Sequence, residues 1–161
     1  MFNHLIKGVS LVLASLLFCL VPYAAKGTNV AVSQVAGGAQ PHVGFMHTRE
    51  LALNTKRYPQ QYNLHGIDGI PVGKHKYHMA VTVFDTATNE RISDARVKVM
   101  VASLPFGKPF VALPAMTAAG AVGYCGFFDM PAHDLYVIDL HIKRRDVARE
   151  LKMRFMHEPP D

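Results

Sequence analysis

The chain has 161 residues, half of them hydrophobic, with 17 Lys and Arg against 12 Asp and Glu, for a formal charge of +5. That length holds one domain around one core. The basic excess is mild, and Lys143-Arg144-Arg145 is its densest cluster. It reads as a solvated turn at the end of a strand, so nothing suggests a nucleic-acid partner.

His4 and Lys7 lead into an apolar run from Val9 to Tyr23, followed by Ala24-Ala25-Lys26-Gly27. This is the charged, apolar, small-residue order of a secretory signal. The run is shorter than the about 20 residues a bilayer span needs. Ala25 and Gly27 supply small residues for a cut before Thr28. The alternative is an uncleaved N-terminal anchor, the one way the chain would contact a membrane. Either way the folded part is exported, and a periplasmic location is expected. Without residues 1–27 the chain keeps 161 − 27 = 134 residues and a charge of 15 − 12 = +3. Cys19 leaves with the signal, so Cys125 has no internal disulfide partner. It is expected to be buried, paired with another chain, or a soft metal ligand.

Residues 28–41 are small and polar and look like a flexible lead-in. Residues 42–74 read as irregular, with a possible first strand around Val43–Leu53; the glycines and prolines near their end favour loop over helix. From His75 the pattern has period two. Tyr77, Met79, Val81 and Val83 share one face, and His78, Ala80 and Thr82 the other. After a polar turn at Asp85–Glu90, Val97, Val99 and Val101 alternate with Arg96, Lys98 and Met100. Phe110–Leu113, bounded by Pro109 and Pro114, suits an edge strand. Val122–Phe128 is a further strand, and Tyr136, Ile138, Leu140 and Ile142 mark the next. Leu151, Met153 and Phe155 close the series; no convincing helix of ten residues appears. The expectation is an all-β fold, an immunoglobulin-like antiparallel β-sandwich of six to seven strands spanning residues 75–157.

Tyr77-His78-Met79-Ala80-Val81-Thr82-Val83-Phe84-Asp85, then Ile92-Ser93-Asp94-Ala95-Arg96-Val97, resembles the start of YtkA-like domains. Gly123 to Pro131 and Tyr136-Val137-Ile138-Asp139-Leu140 fit the same pattern. These domains are small exported sandwiches, related in style to the periplasmic parts of FixH and to CopC-like copper proteins. The resemblance covers roughly residues 75–145 and implies a periplasmic accessory domain, sometimes linked to copper handling or oxidase assembly.

Eight His and seven Met remain after residue 27, and Trp is absent. Thioether, thiolate and imidazole are copper ligands. Three clusters carry these groups: His42–His47, His75–Met79 and Met130–His133. Extended backbone turns His78 and Met79 to opposite faces, which leaves His78 as the better ligand. Met130 and His133 flank a Pro turn where their side chains could converge, and Met116 could reach the same end of the sandwich. His141 and His157 are expected at the surface. No nucleophile elbow, His-Glu-x-x-His or phosphate loop occurs, so no enzyme is expected. The expected function is an exported metal-binding accessory protein handling copper through some of His47, His78, Met116, Met130 and His133. The alternative is a metal-free interaction module of an envelope complex, with an envelope protein as partner.

Overall fold

The structure is a computed structural model and describes residues 31–33, 37–62, 65, 68–103 and 107–160. The signal expected at residues 1–27 lies outside the described residues. In chain order the elements are β1 (Ala31–Ser33), β2 (Ala39–His47), α1 (Thr48–Arg57), α2 (Pro59–Tyr62), β3 (Lys76–Asp85), β4 (Arg96–Ser103), β5 (Val111–Leu113), β6 (Ala115–Ala118), β7 (Ala121–Asp129), β8 (Tyr136–Lys143) and β9 (Leu151–His157).

The strands form two antiparallel sheets, one ordered β1-β2-β3-β7-β6 and the other β5-β4-β8-β9. The orders β2-β3-β7-β6 and β4-β8-β9 reproduce the two sheets of an immunoglobulin constant-type sandwich, with β5 and β1 added at the edges. Valines 43, 81, 83, 97, 99 and 101 meet Met79, Ile138, Leu140, Ile142 and Phe155 in the core. Period-two alternation places most of them there, because successive side chains of a strand point to opposite faces. Tyr136, at the start of β8, donates its hydroxyl to Pro131 O at 3.4 Å. That is the tyrosine corner of such sandwiches.

Three expectations change. The strand near Val43–Leu53 runs instead from Ala39 to His47, so the first sheet begins upstream of residue 75 and includes part of the lead-in. Gly37 and Gly38, both with positive φ, form the turn before it. The chain also makes a ten-residue helix, α1, straight after β2. His47 caps it: its Nδ1 accepts the backbone N–H of Arg49 at 3.1 Å. Glu50 in the first turn and Lys56 and Arg57 in the last complement the helix dipole. The buried stripe is Thr48, Leu51 and Thr55; with one apolar member it leaves little hydrophobic periodicity to read. Finally, the strands outnumber the six to seven expected, since β1 and β6 are short edge pieces of three and four residues.

α1 touches β2 and β3, and α2 touches β6. The helices therefore lie against the first sheet. Leu51 is fully buried yet stands apart from the core between the sheets. Among the described residues no helix is long and apolar enough to cross a membrane.

Candidate metal centre

The register fixes what the outer face of the first sheet presents. Met46 pairs with His78, and His78 with Phe127. Ala80 pairs with Cys125, and Gly123 with Met116. Directly paired residues share a face, and so do residues two apart on one strand. Met46, His78, Phe127, Cys125 and Met116 therefore all stand on the face away from the core. Yet His78 is only 5% exposed and Cys125 only 2%.

His65, in the connection between α2 and β3, completes a cluster on this face. Its Nε2 lies 3.1 Å from Nε2 of His78 and 3.7 Å from Sγ of Cys125. One ligand atom from each of the three lies within 4.8 Å of the others. The Phe127 ring walls the cluster, with centroids 4.6 Å from His65 and 5.3 Å from His78.

Burial sets the charge state. It lowers the His78 pKa to about 4, helped by the neighbouring His65 ring, and it lowers that of His65 as well. It pushes the Cys125 thiol up to about 11. At neutral pH two uncharged imidazoles and one thiol meet in a site shielded from water. Imidazole is a ligand only when neutral, and a thiol only after it loses its proton, so a cation entering here would displace one proton from Cys125. Two nitrogens and one sulfur suit a soft or borderline cation such as copper or zinc and are a poor set for magnesium or calcium.

Of the residues expected from sequence, His78 belongs to this cluster and the others do not. His47 uses both ring nitrogens structurally: Nε2 donates to Lys74 O at 2.9 Å while Nδ1 caps α1. Met130 is fully buried in the core between the sheets. His133 is exposed, in a left-handed backbone conformation with φ of 68°. Met130 and His133 thus do not converge. Met116 shares the outer face but pairs with Gly123, two residues along β7 from Cys125. His157, expected at the surface, is buried against Phe45, with ring centroids 4.3 Å apart and planes 10° apart. His141 is partly exposed and faces Glu150 at 3.4 Å.

Sequence reasoning missed His65, which lies in none of the His–Met clusters. It gave Cys125 a ligand role only as one of three alternatives. The alternation of β7 was the available signal, since it sets Cys125 on the same side of the sheet as His78.

Solved structures share the fold. A DUF4426 family protein from Pseudomonas aeruginosa PAO1 superposes with a TM-score of 0.61 at 17% identity, covering 81% of this chain and 96% of that one. FetP from uropathogenic E. coli strain F11, expressed recombinantly in the periplasm of E. coli, gives 0.56 at 10% identity over 81% of this chain and 93% of its own. A copper-bound variant of FetP gives 0.55 at 9% identity over 81% and 90%. No family model matches the chain, and no curated protein matches it. The shared feature is the sandwich, and the YtkA-like resemblance rests on strand and turn residues alone.

Proposed function

We propose that the protein is an exported, non-catalytic copper-binding accessory protein, which buffers copper or delivers it to an envelope metalloenzyme. The observation that carries this reading is the convergence of His65, His78 and Cys125 on the covered face of the first sheet. One thiolate and two imidazoles make a soft set that favours the cuprous ion. The fold likeness to FetP, which has been solved with copper bound, supports the choice of metal. The signal-like N-terminus supports export.

The test is a cuprous titration of the exported protein against a competing chelator, repeated with Cys125→Ser and His78→Ala. Tight one-to-one binding is expected, weakened by roughly a hundredfold in either variant, the equivalent of about 3 kcal/mol. Binding that survives Cys125→Ser, or none beyond that of scattered surface histidines, would overturn the reading.

A further inference from the structure

A cleft lies beside the exposed side of α1. The stripe Thr48, Leu51 and Thr55 packs inward. Arg49, Leu53 and Lys56, spaced four and three residues apart, share the other side of the helix. They form one wall of the cleft, which has a volume of about 770 Å³. The opposite wall is the segment before β3, with Ile70, Val72 and Lys74. This volume is in the usual range of small-molecule sites, about 300–1,000 Å³.

Two features of the cleft point to a ligand. Val72 is 97% exposed and Leu53 60%, the highest values among the large apolar side chains of the described residues, and both line this one cleft. Leaving them in water forfeits apolar burial that a bound chain or ring would recover. Around them stand the cations Arg49, Lys56 and Lys74, and among the described residues no Asp or Glu lines the cleft. The chain as a whole has 12 acidic residues, so this one-sided lining gives the cleft a positive potential.

We infer that this cleft binds a small amphipathic anion, an apolar chain or ring bearing one carboxylate. The apolar body lies between Leu53 and Val72, and the anionic head meets Arg49, Lys56 or Lys74. The inference is independent of copper, because none of these residues belongs to the His65, His78 and Cys125 cluster.

The experiment is calorimetric titration of the exported protein with sodium dodecanoate below its micelle concentration. Dodecyltrimethylammonium, with the same chain and opposite charge, is titrated in parallel. Leu53→Asp places a carboxylate at an exposed position of the wall, and Val72→Asp replaces it should the first variant fail to fold by circular dichroism. One equivalent of dodecanoate is expected to bind, the ammonium analogue to bind at least about tenfold more weakly, and the Asp variant to lose affinity by a similar factor. No dodecanoate binding overturns the inference. So does equal binding of the two amphiphiles, or an Asp variant that binds as the parent does, which would place the amphiphile elsewhere on the protein.

Discussion

His65 and His78 oppose their Nε2 atoms at 3.1 Å, one from the connection after α2 and the other from β3. Two ring nitrogens this close share a single proton, so one ring donates and the other accepts. A cation between them needs both lone pairs, and the donor ring must then carry its proton on Nδ1. The covering segment thus supplies one ligand while the sheet supplies two, and an occupied site ties the cover to the sheet. Cuprous ion at about 100 times its dissociation constant should therefore stabilise the fold by about 2.7 kcal/mol. The check is a thermal melt with and without metal. The upward shift should vanish in Cys125→Ser, and a parent melt that metal leaves unmoved would count against the site.

Cys125 offers a metal-free check of the same geometry. It is 2% exposed and burial holds its pKa near 11, so almost no thiolate exists at pH 8. Thiolate is the reactive form. A thiol-specific disulfide reagent should label the folded protein far more slowly than the protein in urea. Removing part of the cover's contact with Cys125 by His65→Ala should speed labelling. Labelling as fast in the native state as in urea would place the thiol at the surface.

Met130 separates core from ligand. It is fully buried among the residues packed between the sheets and does not reach the outer face. Met130→Ala should cost about 2–5 kcal/mol through lost burial and the cavity left behind. Its metal affinity should stay within about twofold of the parent under conditions where the variant remains folded. Urea melts and the cuprous titration read the two effects apart, and a large loss of affinity at unchanged stability would return Met130 to the ligand set.

Most of the fold was legible because its strands advertise themselves. Val97, Val99 and Val101 against Arg96 and Lys98 can be read as one buried and one wet face, and the structure has them so. α1 was not legible, since Thr48 and Thr55 are buried with a single Leu between them. Thr55 satisfies its hydroxyl locally by donating to Leu51 O at 2.9 Å, which lets a polar residue serve as an inward one. That hidden helix is also why the site was half seen. Alternation sends His78 and Cys125 outward, where solvent is the default expectation. The segment that follows the helices covers them, bringing His65 within 3.1 Å of His78 and 3.7 Å of the Cys125 sulfur. His–Met adjacency in sequence was a poor guide for a related reason: neighbouring positions on a strand face opposite ways, so clusters along the chain disperse in space.

His157 makes stability depend on acid. It is 2% exposed and stacked on Phe45, and its Nε2 has no hydrogen-bond partner among the described residues. Burial lowers its pKa to about 4 from the usual 6.5. The unfolded chain therefore binds a proton at this ring before the folded one does. Its contribution is fully present above about pH 6.5 and is lost as pH falls from there through about 4, a change on the order of 2–3 kcal/mol. His78, whose pKa is also lowered to about 4, adds a loss in the same window. His157→Phe keeps a ring against Phe45 and removes both the titration and the unpaired nitrogen. The variant should match or exceed the parent at pH 7 and should lose distinctly less stability between pH 7 and 4.5. Urea midpoints at the two pH values test this, and parallel losses in parent and variant would show that His157 is not buried in its neutral form.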